Sequence, residues 1–538
     1  MRSAGLLAVA LLGAVAVAAW WAVRAAPVDI VDAPADRVPC VSYAPFRLPG
    51  ESPFVQGFRA SPARIDQDLG LLAARTACIR TYSVDQGLDE VPRLARKHGL
   101  RVLLGVWIGR DATENEAELA RALAVLRRDA DVIDAVIVGN EVLLRREQPP
   151  ERLRGYIERV RAATPLPVTY ADVWEFWLRN PALAEAVSFV TVHMLPYWED
   201  EPQPVERAVD HVLRMHARVR AAFPGKAILI GEIGWPSAGR RREAAVPSLV
   251  NQARFVREFA AAAARERLRY NVIEAFDQPW KRRLEGTVGG HWGLDDSAGR
   301  AKFPLQGPVI EAPHWHRGAA AAVAGAAAFL LAGLARAPRP GAAGAAFLAL
   351  AGVAGGALLA RQAEVVAAAS RDAFEWSVGV GFTLFAALAT LLCALALARS
   401  MSGTPVPRPA TAAEVVRWFR TDRSPRTALE RWFGVARFAV LLAAAVVSVL
   451  LAFDPRYRDF PLAGFAAPGI GFALLAWAAG PTPVGVEERT LGWVLAVAVP
   501  VIMWRETPAN VDALAWMALT GLLAASVLVA RQDEHAGQ

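Results

Sequence analysis

From Cys40 onward the chain alternates short β-branched runs with helical stretches eight times in about 270 residues, a repetition that few folds can accommodate. The strand-like runs fall at 40–44, 77–82, 101–108, 132–139, 167–171, 189–193, 227–231 and 271–276. Helix punctuation lies between them. Ser61-Pro62 reads as a cap and first turn, Gly99 as a stop after 94–98, Thr113-x-x-Glu116 as a capping box, and Pro149-Pro150 as the start of the next helix. Eight βα units in succession predict a closed (β/α)8 barrel, an α/β fold whose working residues follow the carboxyl ends of the strands.

The rest of the chain is of another kind. Of 538 residues 54% are hydrophobic, and beyond residue 318 they gather into seven long runs: 318–335, 341–360, 376–398, 438–453, 461–479, 491–504 and 513–530. An eighth apolar run, 4–23, follows Met1-Arg2 and is closed by Arg24; about twenty residues suit a spanning helix better than a cleaved leader. The predicted organisation is an N-terminal signal anchor over 1–24, a Pro/Asp-rich linker over 25–39, a barrel over 40–310 and an all-α transmembrane domain of about seven helices over 318–530. The net charge of +7 does not point to nucleic acid, because the arginines do not interleave with exposed aromatics. About eight of them lie between Arg399 and Arg437, flanked by apolar runs, which is the positive-inside pattern. With Arg2, Arg336 and Arg339 on the same side, both termini are expected in the cytoplasm and the barrel outside it, as in a multi-pass protein of a bacterial-type inner membrane with a periplasmic domain. Few ionisable residues fall inside the runs, so a proton or ion pathway is not indicated, and anchoring is favoured over a glucan conduit.

Three cysteines give no framework. Cys393 lies within an apolar run; Cys40 and Cys78 each begin a strand and can pair only in an exported domain, buried free thiols being the expectation.

The chemistry is read from strand ends. The run 227–231 stops at Gly231 and presents Glu232 before Gly234, Trp235 and Pro236 turn the chain. The run 132–139 stops at Gly139 and presents Asn140 and Glu141. Two strand-end carboxylates suit cleavage of a glycosidic bond, one as proton donor and one as nucleophile or base. Other strand ends carry residues able to hold a sugar: Arg80 and Tyr82, Trp107, Asp172 with Trp174 and Trp177, His193 with Tyr197 and Trp198, and Glu274 with Asp277 and Trp280. Aromatic faces stack on pyranose C–H faces, and the polar groups fix hydroxyls.

The segments VSYAPF, IRTYS, VGNEVL, GEIGWPSAG, EAFDQPWKR and GGHWGLDD, in this order over about 40–303, resemble glycoside hydrolase family 17, the β-1,3-glucanases and glucanosyltransferases. The resemblance implies a retaining enzyme with Glu141 as acid/base beside Asn140 and Glu232 as nucleophile, and with Arg80, Tyr197 and Trp280 as supporting subsite residues. Tyr82, Trp174, Trp177, His193 and Trp198 complete the expected substrate-binding set. Members with a membrane region of this type are similar to proteins that make or branch β-(1,3)/(1,6)-glucans. The implied partners are therefore β-glucan, the lipid bilayer and a glucan synthase in the membrane, with no cofactor. Transfer to a sugar, hydrolysis and non-catalytic glucan binding or transport remain open, transfer being favoured.

Competing chemistries find little support. Asp66-x-Asp68 and Asp129-x-Asp131 match a nucleotide-sugar DxD but fall in helical stretches, and neither QxxRW nor a P-loop occurs. His211 and His216 are five apart and cannot share a helix face, so no metal site is expected. His314 and His316 abut the first long apolar run and read as interfacial.

Overall fold

Alternation with a period of two decides how the barrel strands are used. The computed structural model describes residues 2–335, 338–421, 426–480 and 484–529. Arg336, the last residue of the run 513–530 and part of the arginine-rich 399–437 segment lie outside the described residues. The chain separates into two compact units, Pro27–Val309 and a second made of Met1–Ala26 with Ile310–Gln538.

In the first unit eight parallel strands close into a barrel. They are β1 (Val41–Ser42), β2 (Cys78–Arg80), β3 (Arg101–Val106), β4 (Ile133–Asn140), β5 (Val168–Val173), β6 (Val190–His193), β7 (Ile228–Ile233) and β8 (Arg269–Val272). β8 pairs back to β1 through Val41 and Val272. The predicted (β/α)8 architecture is therefore the observed one. The eighth strand starts and stops earlier than its apolar pattern suggests. Beyond Val272 the chain leaves the regular ladder, and the Glu274 and Ala275 amides donate instead to the carbonyls of Trp292 and Ser42.

Outward residues such as Ile79, Val102, Val136, Val168, Val190 and Ile230 join the large core beneath the helices. Inward residues Cys40, Cys78, Leu103, Ala135, Ile137, Ala171, Phe189 and Leu229 form a separate apolar plug in the lumen. Two residues further along the same inward faces come Ser42 and Arg80, so the lumen turns polar toward the carboxyl ends of the strands. Cys40 and Cys78 are disulfide-bonded, which corrects the expectation of free thiols. The register explains it: Val41 pairs with Ile79, which leaves the two cysteines side by side with Cα atoms 4.3 Å apart, a spacing only slightly below the usual disulfide range.

In the second unit, seven helices among the described residues are long and apolar enough to cross a membrane: Ser3–Ala25, Trp315–Leu334, Ala342–Ala369, Ala373–Ser400, Ala428–Phe453, Leu462–Ala479 and Val511–Leu528. The run 491–504 lies in an eighth helix, Val486–Glu506, whose ends carry Glu487, Glu488, Arg489, Arg505 and Glu506. The run at 438–453 belongs to a longer helix begun by a capping box at Thr427 and Glu430. Within the arginine-rich segment between Ser400 and Thr427 lies a short amphipathic helix, Ala412–Thr421. Small residues set the closest approach in this unit. A Cβ at Gly325 would come within 2.3 Å of the Gly352 carbonyl oxygen, and one at Gly356 within 2.0 Å of that of Ala321, so only glycine lets these backbones meet.

Candidate active site

Arg80, at the end of β2, is 1% exposed and stands in the mouth of the barrel. Its Nη1 donates to the Gly231 carbonyl at 2.7 Å and to Glu232 Oε1 at 3.1 Å, both on β7. Its Nη2 donates to Asn140 Oδ1 on β4. Tyr82 donates to the same Glu232 Oε1 at 2.9 Å and lies 3.0 Å from the Ser42 hydroxyl. Burial, reinforced by the Glu232 charge, raises the Tyr82 pKa well above the ordinary phenol value, so the hydroxyl stays protonated and keeps donating. Glu232 is thus held at one oxygen by a cation and a neutral donor.

Glu141 follows β4 directly and adopts φ 53°, a left-handed conformation that costs a non-glycine residue about 1–3 kcal/mol unless its surroundings hold it. The surroundings do. Its amide donates to the Ala171 carbonyl at 2.8 Å. One carboxylate oxygen lies 3.1 Å from His193 Nδ1 and the other 3.4 Å from Arg145 Nη1. Burial acts to raise the Glu141 pKa, yet the hydrogen bond and charge of His193 with the charges of Arg145 and Arg80 outweigh it, and the carboxyl titrates below the ordinary glutamate range.

His193, at the end of β6, bridges the pair. Its Nε2 is 3.4 Å from Arg80 Nη1, and its Nδ1 faces Glu141. One oxygen of Glu141, one of Glu232 and a His193 ring nitrogen all lie within 4.8 Å of one another. By donor type this trio could ligate a metal, but the Arg80 guanidinium already supplies the positive charge between them, and we assign no ion to it.

Residues 40–293 match the family model of the BtgE/BtgC glycoside hydrolase domain. The match covers the whole barrel and a little under half of the chain. The chain is similar to the glucan endo-1,3-beta-glucosidase btgC of Emericella nidulans, 25% identical over 51% of this chain and 46% of the relative. It is also similar to a glucan 1,3-beta-glucosidase of Saccharomyces cerevisiae, 24% identical over 46% of this chain and 85% of the relative. The chain thus spans less than half the length of the btgC protein. Among solved structures, the glycoside hydrolase family 17 beta-1,3-glucanosyltransferase of Rhizomucor miehei aligns with 50% of this chain and 97% of its own, at 24% identity and a TM-score of 0.44.

In the barrel the aromatic residues named from sequence divide into two groups. Trp177 is 1% exposed, packs between Tyr170 and Phe223, and donates to the Thr191 carbonyl, so its ring is core and out of reach of a sugar. Tyr197 is fully buried, its hydroxyl donating to the Arg240 carbonyl. Trp174 is buried too and donates to Glu199. These three correct the expectation of sugar platforms: strand-end position was right, but the side chains turn into the protein. Trp198 and Trp280 keep part of their surface open, Trp198 stacked on Trp292 and Trp280 edge-on to Phe54. Trp107, 38% exposed, lies under the Arg145 guanidinium. Asp172 does not meet the lumen either; it accepts from Tyr170 and from main-chain amides.

Sequence reasoning noted Glu274 but missed its partners. Lys281 donates to Glu274 Oε2 at 2.8 Å, and Glu285 faces the same lysine. Burial pushes Glu274 up to about 7 against the pull of Lys281, because two carboxylates share one cation. The only sequence signal was Lys281 in EAFDQPWKR, seven residues past the strand-end glutamate. A carboxyl whose pKa is raised on folding holds its proton more tightly in the folded chain. Stability is therefore lost as pH rises from the ordinary 4.5 through about 7. The stability difference between the native protein and Glu274→Gln should shift against the native protein by up to about 3 kcal/mol across that window, by denaturant titration at several pH values. A difference that does not change with pH would overturn the assignment.

Proposed function

We propose that this protein is a membrane-anchored, extracytoplasmic enzyme that cleaves β-1,3-glucosidic bonds with retention and hands the sugar to another sugar, elongating or branching β-glucan. The observation that carries the reading is the approach of Glu141 and Glu232 within 4.8 Å at the carboxyl ends of β4 and β7. A retaining pair sits about 5–5.5 Å apart, whereas an inverting pair needs about 6.5 Å or more to admit a water. The names of the relatives support the glucan.

Glu232 attacks the anomeric carbon as Glu141 protonates the departing oxygen, giving a glycosyl ester and a free sugar hydroxyl. Glu141, now ionised, removes a proton from the acceptor hydroxyl, whose oxygen displaces Glu232 and restores both carboxyls. Arg80 and Tyr82 fix the attacking group through Oε1, and Asn140, held by Arg80, lies beside Glu141. Transfer is favoured where a stacked acceptor competes with water at about 55 M. Trp107, Trp198 and Trp280, each with open surface, supply the platforms. Hydrolysis is the second reading, and the glucosidase names of the relatives favour it.

Three features support an anchored external enzyme: seven apolar helices, arginines concentrated between Arg399 and Arg437, and a disulfide suited to an oxidising compartment. The bilayer, and a glucan synthase within it, are the proposed partners.

Glu232→Gln and Glu141→Gln should each lose at least about three decades of turnover on β-1,3-gluco-oligosaccharides, roughly 4 kcal/mol of barrier. The native protein in the same assay should yield products longer or more branched than the substrate; products that are only shorter at every concentration make it a hydrolase, and near-native turnover in either variant removes the mechanism. Because Glu141 must be protonated for the first step, its depressed pKa puts the falling limb of kcat/KM on the acid side. Arg145→Met removes one of the depressing charges and should move that limb to higher pH; an unmoved limb counts against the Arg145 contribution. Reporter fusions after Lys302 and within 400–426 should report opposite sides of the membrane, and a common side would refute the orientation.

A further inference from the structure

Tyr170 and Asp172 are two residues apart on β5 and share its outward face, while Thr169 and Ala171 between and beside them face the lumen. Both are buried. The Tyr170 hydroxyl donates to Asp172 Oδ2. The Leu143 amide points at both, 3.1 Å from the tyrosine oxygen and 3.3 Å from Asp172 Oδ2, and the Leu144 amide lies 3.4 Å from the same carboxylate oxygen. Asp172 Oδ1 accepts from the Val173 amide at 2.7 Å. Leu143 and Leu144 belong to the turn that begins at Glu141, where the sheet no longer offers carbonyl partners. The Tyr170 ring also closes on the start of that turn: a Cβ at Gly139 would sit 3.3 Å from it.

We propose that Asp172, seconded by Tyr170, is a positioning residue for Glu141, clamping the left-handed turn that carries this carboxylate so that it meets the leaving oxygen. The inference rests on the reading of Glu141 as acid/base. Glu141 has its amide fixed by Ala171 on β5, and the Leu143 and Leu144 amides of its turn are fixed by the Asp172–Tyr170 pair on the same strand. β5 therefore sets both ends of a backbone that has no favourable reason of its own to hold φ 53°. Glu232 comes from β7 and has its own restraints in Arg80 and Tyr82, so releasing the turn displaces the proton donor and leaves the nucleophile in place. The charged or titratable groups around Asp172 are Tyr170, Glu141 and His193.

This separation has a kinetic signature. Asp172→Asn puts a donor where one of the two accepting oxygens stood, and Tyr170→Phe removes the hydroxyl alone. In the purified full-length protein, kcat/KM on unactivated β-1,3-gluco-oligosaccharides should fall at least about tenfold in Asp172→Asn, part of the roughly 10²–10⁴-fold that general acid catalysis supplies, and less in Tyr170→Phe. On a dinitrophenyl β-laminaribioside, whose leaving group departs without a proton, kcat/KM covers only the steps through bond cleavage and should change less than about twofold in both variants. Equal losses on the two substrates would mean a general structural role and overturn the proposal, as would native rates on both. Should Asp172→Asn fail to fold, the same comparison in Tyr170→Phe decides. If Glu141→Gln is itself as active as the native protein on oligosaccharide, the acid/base reading fails first; if Glu141→Gln is inactive there while Tyr170→Phe and Asp172→Asn match the native protein, only the clamp fails.

Discussion

One buried guanidinium organises the mouth of this barrel. Arg80 leaves water almost completely, and a charge so placed is tolerated because both of its terminal nitrogens find partners, although Nε has none. The matching groups come from β4, β6 and β7: the Asn140 amide oxygen, the His193 ring, the Gly231 carbonyl and the Glu232 carboxylate. Satisfying Arg80 therefore fixes three other strand ends relative to β2. An ion pair this deep adds little net stability once desolvation is counted, so its value here is positional. It also places positive charge beside both Glu141 and Glu232, which are 91 positions apart in the chain.

The lumen is arranged to make room for that charge. Its lower layer is a plug of eight apolar residues, two of them joined by a disulfide between β1 and β2. Directly above, on the same inward faces, polar residues replace apolar ones, and Ser42, Asn271 and the Gly231 carbonyl are linked by short hydrogen bonds. The change from plug to polar layer takes only two residues of strand, because one inward step is one pleat. Outside the strands the pattern reverses, and there Tyr170 and Asp172 place polar atoms in the layer between strand and helix, where the Leu143 and Leu144 amides of the turn after β4 meet them beside the Val173 amide and the pair's own hydrogen bond.

The helical unit follows a different economy of contacts. Where lipid would give no hydrophobic drive between helices, backbone approach at Gly325, Gly352 and Gly356 lets dispersion do the packing. Its buried charges are paired in the same spirit as Arg80: Arg437 and Glu488 lie 2.9 Å apart with almost no exposure.

Read from the sequence alone, the eight strands, the two glutamates and the apolar helices were all legible, because periodicity, chain-stopping glycines and long apolar runs are local properties. Glu141 and Glu232 could be named because each follows a glycine at the end of a β-branched run. The direction in which a strand-end side chain turns was not local. Trp177 and Tyr197 sit at the right ends of the right strands and face the core, and Asp172 points outward to a turn belonging to another strand. Pairing of Cys40 with Cys78 depended on the register between β1 and β2, and the roles of Lys281 and Glu285 on how the chain folds back after β8. The sequence determined which residue types arrive at the mouth of the barrel. Only the tertiary structure decided which of them are satisfied by protein and which keep a face for a ligand, because that choice is made by neighbours that are distant in the chain.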